Sequence, residues 1–425
     1  MLRITILIIC SFTVIYNVEA QSSFSSDTLS FSMQDAENMF LINNYDLLAA
    51  KYQINEADAS VIQARLWDNP NFNFEQGAFN KNTGKWFDFS PSGESAASLQ
   101  QLIYLAGKRN KRINIEKINL QIARYEFYDL IRTLRYELRT SFFGLYCLQQ
   151  TLSVYDRELE PLKILINAYD TEYQKGNVAF KELARLQALQ FSLENEKLEV
   201  MKDASEKQAN LILLTGDSLS RPIKPIISPS SLDVLNPDSD NLAQLIDSAL
   251  NNRYDLKIAE SQIESERLNL SLQKAMRIPD LTVGARYDKA GSYVPDYNAI
   301  SLGFDLPIWN HNQGNIKISE NKIEENKVIK AQKELEVKSD ITRAYTQFIE
   351  TDKLYKSSFR RFDSNYEKLF GGLTEAYKNH TISLLEFIDY FETYKDSKNE
   401  YYHLINNRFE AVESLNLAIG KTMIK

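Results

Sequence analysis

At 425 residues with 44% hydrophobic and 25% charged side chains, the chain has the balance of a folded protein with room for two or three domains, so disorder is not its default state. A formal net charge of −8 argues against a general nucleic-acid binder, which needs a basic stripe. Only 14 Gly and 10 Pro interrupt that length, which favours long unbroken helices.

Residues 1–20, MLRITILIICSFTVIYNVEA, carry a basic Arg3, an apolar run, and Val18 and Ala20 at the positions of a small-residue cleavage site. They read as a secretory signal peptide. Cys10 follows Ile9 rather than a small residue, which disfavours lipidation. The mature chain then begins at Gln21 with Cys147 alone, so it has no internal disulfide. No later apolar run approaches the roughly 20 residues of a transmembrane helix. A membrane crossing, if there is one, must be made by strands.

The first repeat, 21–216, is expected to open with an amphipathic helical stretch over 34–69 that ends at Pro70. Strands at 70–79 and 95–104 follow, with Phe72 and Phe74 alternating with Asn73 and Glu75. A long helix over 107–173 carries a seam of steps of three and four, from Ile131 and Leu134 through Tyr155, Leu159 and Leu162 to Tyr169 and Tyr173. That is a coiled-coil seam. Pro161 should kink the rod into two segments in line. After the polar phrase YQKGNVAFKELA, a return helix over 180–215 ends at Gly216. Residues 217–240, with four prolines, read as a linker.

The second repeat, 241–425, spells the same order again. NNYDL near Tyr45 returns as NNRYDL near Tyr254, and the offset of 209 (254 − 45) still holds at Pro70 and Pro279 (279 − 70). Strands at 279–288 and 297–306 place Leu281 and Val283, and then Ile300, Leu302 and Phe304, at alternate positions. A long helix over 314–376, a polar turn and a return helix over 383–419 complete it. The offset is 204 both between Tyr173 and Tyr377 and between Gly216 and Gly420.

Strands of about ten residues have the length that tilted strands need to cross a bilayer. Four cannot close a barrel, and open edges are not tolerated in lipid, so other copies would have to complete it. A small soluble sheet capping a coiled-coil stalk is the alternative from the strand patterns.

Duplicated helix, strand pair, long helix and return helix, with a Pro before each strand pair, resembles the TolC-like outer-membrane efflux protein family of Gram-negative bacteria. QQLIYLAGKR at 100–109 is similar to the family's passage from second strand to long helix, and DLPIWNHNQGNIK at 305–317 to its second-repeat equivalent. Asn310, Asn312, Gln313 and Gly314 resemble most the heavy-metal efflux group. The resemblance implies a mainly α chain of long antiparallel coiled-coil helices. Its four strands would enter a trimeric twelve-stranded barrel in the outer membrane, with the helices extending into the periplasm. The implied partners are two further copies, outer-membrane lipid, a periplasmic adaptor and an inner-membrane transporter.

Phe72, Phe74, Leu281, Val283, Ile300, Leu302 and Phe304 would then face lipid. Gly176, Asn177, Val178, His380, Thr381 and Ile382 would form adaptor-contact tips, with His380 standing where the family has its second Gly. The resemblance places a periplasmic gate at Glu182, Tyr377, Glu386 and Asp389. For the carboxylates the alternative is an ordinary solvated acidic face after a helix start. For Tyr377 it is core packing in the seam.

His311, His380 and His403 have no metal-ligand spacing, and no phosphate loop or nucleophile motif is present. No enzyme activity, cofactor or dedicated metal site is expected. The expectation is a passive outer-membrane exit duct of a tripartite efflux system. A heavy-metal pump is favoured over a drug-type pump or a type I protein secretion system, and the competing class is an exported stalk protein without a pore.

Overall fold

The computed structural model describes residues 28–217, 219, 221–227, 241–290, 294–379 and 381–421, without the side chains of 358–371, 374 and 378. The expected signal peptide lies outside the described residues. The first repeat contains β1 (Leu29–Ser32), α1 (Met33–Asn43), α2 (Tyr45–Ala64), β2 (Asn71–Gln76), β3 (Phe79–Asn80), β4 (Lys85–Trp86), β5 (Ser95–Ile103), α3 (Lys108–Gln174) and α4 (Phe180–Thr215). Then come β6 (Ile223–Ile226), α5 (Leu242–Asn252), α6 (Tyr254–Ala275), β7 (Leu281–Asp288), β8 (Tyr297–Gly303), α7 (Gln313–Lys378) and α8 (Leu384–Ile419).

The doubled phrase marks a break. Each amphipathic stretch is two helices, because Asn44 and Arg253 leave the helical region with ψ of 124° and 129°. Asn44 caps α2 by accepting from Leu47 N at 3.0 Å, and it donates to the Leu214 carbonyl at 3.1 Å. Arg253, its counterpart, donates to the Ala418 carbonyl at 3.3 Å and pairs with Asp255 at 2.6 Å. Each break therefore ties the start of its repeat to the last turn of the return helix, whose carbonyls have no helical donor. Gly216 and Gly420 end those helices with φ of 65° and 84°.

At about 1.5 Å per residue, the 67-residue α3 and the 66-residue α7 each span roughly 100 Å. Contrary to the expected division, α3 continues through Pro161. Proline removes one helical donor, but Leu159 and Leu162 on either side of it are buried and hold the two halves on one packed face. Among the described residues, three cores run along the rods. One gathers Phe40, Leu138, Phe142 and Leu211 of the first repeat, and another gathers Ile341, Phe348, Phe409 and Leu415 of the second. The third, near the turns, joins both repeats through Leu162, Leu186, Leu193, Phe387 and Phe391. Phe143 and Phe409 stack at 3.9 Å between the repeats.

The segment read as a linker contributes β6, which pairs in parallel with β1; Ile223 is buried in the first-repeat core. Buried Ile223 and Pro225 alternate with exposed Lys224 and Ile226, which is enough for a short strand despite the prolines. The main sheet has the order β2-β5-β7-β8 and is antiparallel throughout. The strands are shorter than the expected spans, and residues 79–80 belong to a separate hairpin with 85–86.

Candidate functional site: strand wall and helical tips

The register decides which side chains share a face. Phe72, Leu99, Ala285 and Ile300 form one row across the sheet, flanked on the same side by Phe74, Ala97 and Tyr287 and by Val283 and Leu302. Leu281 and Phe304 extend this face toward the helices. All seven residues expected to face lipid thus lie on one face, with Gln76, Ser95, Gln101 and Asn298 among its polar members. Phe72, Ile300 and Leu302 are 67%, 84% and 68% exposed in the single chain. The opposite face carries Asn71, Asn73, Ser98, Gln100, Thr282, Arg286 and Ser301. Among the described residues, both outer strands, β2 and β8, leave an edge unpaired.

Where sheet meets rods, Lys108 is 3% exposed and donates to Asp280 at 2.7 Å and to the Ile278 carbonyl at 2.6 Å. Asp280 also accepts from Leu105 N at 3.0 Å. Arg109 donates to the Arg65 carbonyl and lies over the Trp67 ring. This pair of cations clamps the entry of α3 to the base of β7 and to the end of α2. Sequence reasoning named Gly-Lys-Arg only as a family phrase; the fold supplies the partners.

At the far end, the first tip closes as a Schellman turn. Gly176, at φ 76°, donates to the Tyr173 carbonyl at 2.9 Å, and Asn177 N donates to the Glu172 carbonyl at 3.0 Å. The Glu172 carboxylate accepts from Asn177 at 2.7 Å and Lys175 at 2.8 Å, and these bonds lower its pKa. Val178 is half-buried behind them. In the second tip Thr381 N donates to the Ala376 carbonyl at 2.9 Å, the same six-residue closure, and Ile382 packs against the tip core. His380 lies outside the described residues. Glu172 was missed as a tip residue, although Lys175 three places on is a readable helix-pair signal.

The four candidate gate residues fall into two pairs. Tyr377 is 7% exposed, stacks on Phe387 at 4.7 Å and shares a hydroxyl contact with Tyr169 across the two repeats. Burial first, and then the Tyr169 hydroxyl and the Glu182 charge, push its pKa up strongly. Glu182 lies in the first turn of α4. The spacing in the sequence shows Tyr169 as a seam residue and does not show its contact with Tyr377.

Glu386 and Asp389 sit together on exposed turns of α8. Glu386 accepts from Ser383 N and Ser383 Oγ, both at 2.8 Å, and Ser383 accepts from Glu386 N at 3.2 Å. This is a capping box, and the backbone bond from Ser383 leads in lowering the Glu386 pKa. Its counterpart Glu182 has no such role, because Ala179 stands at that N-cap. No group of three His, Cys, Asp or Glu side chains among the described residues could hold a metal ion. Among them, too, no helix is long and apolar enough to cross a membrane.

An open sheet with one apolar face, seated on paired hundred-ångström hairpins, is a particular architecture. Residues 38–217 match the family model described as outer membrane efflux protein. That match spans the first repeat, 180 of the 425 residues (217 − 38 + 1). The chain is 20% identical over 386 residues to the cobalt-zinc-cadmium resistance protein CzcC of Cupriavidus metallidurans, covering 89% of this chain and 87% of that one. The solved Campylobacter jejuni CmeC outer membrane channel superposes with a TM-score of 0.72 at 15% identity, covering 92% of this chain and 87% of that one. For the open-state MtrE outer membrane channel of Neisseria gonorrhoeae the TM-score is 0.71 at 16% identity, with 92% and 89% covered. At those identities the chain shares with both channels the TolC-like fold.

Proposed function

We propose that this chain is the outer-membrane exit duct of a tripartite efflux system, acting as a homotrimer. The observation that carries it is the four-stranded sheet, apolar on one face, polar on the other and open at both edges. In hydrocarbon each unpaired backbone group costs several kcal/mol, so the edges must close on further strands. Three chains give twelve strands, a lipid-facing wall bearing Phe72, Phe74, Leu281, Val283, Ile300, Leu302 and Phe304, and a polar lumen. The helical rods then cross the periplasm. Their tips, Gly176, Asn177, Val178, His380, Thr381 and Ile382, meet a periplasmic adaptor, which with an inner-membrane transporter supplies the drive.

The duct is passive and has no enzymatic step. Its entrance lies at the level of the tips, where Glu182, in the first turn of α4, and the exposed pair Glu386 and Asp389 on α8 supply carboxylates beside the packed Tyr169–Tyr377 contact. Like charges around a narrow axis concentrate cations. The likeness to a cobalt-zinc-cadmium resistance protein supports a heavy-metal cation as substrate.

The test is the native mass of detergent-extracted protein from separated membrane fractions. A trimer in the outer-membrane fraction is expected. A soluble monomer or dimer in the periplasm would reject the barrel in favour of an exported stalk.

A further inference from the structure

The loop between β2 and β5, residues 77–94, is a built object at the end of the sheet away from the rods. Asp88, 5% exposed, accepts from Thr83 Oγ1 at 2.6 Å, Asn80 Nδ2 at 2.9 Å and Ser90 N at 3.0 Å. Asn80 also donates to the Ser92 carbonyl at 2.7 Å, and a Cβ on Gly93 would overlap the Asp88 carbonyl. A loop held this way does not collapse to hide its side chains. Yet Phe79, Trp86, Phe87 and Phe89 are 47%, 71%, 59% and 66% exposed. Phe87 is held at φ 49°, a conformation rare for a bulky side chain. Exposed Lys81 and Lys85 flank the rings.

The side of the sheet to which this loop folds is also determined. Gln76 and Ser95 continue the face that carries Phe72, Phe74, Ala97 and Leu99, two residues beyond Phe74 and two before Ala97. Gln76 Nε2 donates to the Asp88 carbonyl at 3.1 Å, and Ser95 Oγ braces Gln76 at 2.6 Å. Lys289, whose backbone N bonds Ser95 O, donates through Nζ to the Phe89 and Ser90 carbonyls at 3.0 and 2.8 Å. The Asp88–Ser90 segment is therefore gripped from the apolar face, not from the polar one.

We infer that loop 77–94 is a membrane-docking element, in which Phe79, Trp86, Phe87 and Phe89 enter the interface of the outer leaflet while Lys81 and Lys85 meet its anionic headgroup phosphates. The inference rests on the barrel reading. Its occupant follows from continuity with the apolar face, and from the pairing of aromatic rings with lysines that an anionic lipid surface favours. An element dipping about 5–10 Å below the headgroups would fix the depth and tilt of the duct at its outer rim, where a bare polar loop would not.

The test uses the three tryptophans, Trp67, Trp86 and Trp309. The Trp67→Phe/Trp309→Phe protein, reconstituted into vesicles of phosphatidylglycerol and acyl-brominated phosphatidylcholine, should show blue-shifted, bromine-quenched Trp86 emission that resists acrylamide. Lys81→Gln/Lys85→Gln in that background should reduce the quenching, and reduce it less when phosphatidylglycerol is omitted. A second probe separates the two readings: Ile300→Trp in a background with all three tryptophans changed to Phe reports the strand wall. If Ile300→Trp is quenched but Trp86 is not, the loop inference is overturned while the barrel stands. If Ile300→Trp is not quenched, the barrel reading fails and the inference falls with it. Unchanged quenching in the lysine variant would overturn the headgroup contact.

Discussion

Glu158 lies in the half of α3 nearer the tip, one turn before Pro161, at 1% exposure and with neither carboxylate oxygen hydrogen-bonded. Burial first, then the balance of Lys395, Glu196, Arg157 and Asp396 around it, raises its pKa from 4.5 to about 8. Lys395 is committed elsewhere, to Glu196 at 2.7 Å and Asp396 at 3.2 Å. Between pH 4.5 and about 8 the folded chain holds a proton here that the unfolded chain has released. The linkage slope is then negative, so stability falls as pH rises through that window and is flat outside it. The rise corresponds to a folded-state cost on the order of a few kcal/mol above pH 8, at about 1.4 kcal/mol per pKa unit. Glu158→Gln keeps the shape and removes the charge. Thermal melting of the helical circular-dichroism signal of the extracted protein should fall between pH 5.5 and 8.5 in the parent, and fall less in Glu158→Gln, which should melt higher at the alkaline end. Parallel pH curves, or a variant that melts lower at pH 8.5, would refute the reasoning.

Replacing Lys108 with Met strands Asp280 at the junction of sheet and rods; a loss of about 3–5 kcal/mol is expected for breaking a buried pair, read as a lower yield of assembled protein, with Lys108→Met/Asp280→Asn recovering part of it. Gly176→Ala places a Cβ on a residue at φ 76° and should cost about 1 kcal/mol of local stability, seen as faster amide exchange at Gly176 and Asn177. Tyr377→Phe removes the hydroxyl contact with Tyr169 but keeps the ring on Phe387; if that contact narrows the entrance, single-channel conductance should rise with little change in melting. Glu386→Ala/Asp389→Ala should reduce cation selectivity in the same recording, and because Glu386 also caps α8, Ser383→Ala controls for the loss of the cap, which costs about 1 kcal/mol. Equal selectivity losses in both would assign the effect to the cap.

Much of the fold class was legible because it is written in periodicities that survive without tertiary information. Steps of three and four from Ile131 to Tyr173 specify a packed helix, and alternation at Leu281, Val283 and Ile300, Leu302 specifies two-faced strands. The repeat offset exposed the duplication directly. What periodicity conveyed poorly is where an element stops. The break at Asn44 and Arg253 falls inside a continuous amphipathic pattern, and its reason is a hydrogen bond to a carbonyl about 170 residues away. Pro161 misled in the other direction, since a local rule predicted a division that long-range packing overrides.

The candidate site divides along the same line. Residue types marked the polar turns and the two-faced strands, because Gly at a left-handed position and alternating Phe or Ile are local necessities, while the resemblance supplied the roles of tip and lipid-facing wall. Only the tertiary structure placed Tyr169 against Tyr377, Lys108 against Asp280, and the 77–94 loop over the apolar face through Gln76 and Lys289. By itself the sequence determined the repeated order of helices and strands and the two-sided character of the sheet, since both follow from backbone period and side-chain polarity. Contacts between residues far apart in the chain depend on register and crossing of whole elements, which no local pattern encodes; these the tertiary structure alone decided.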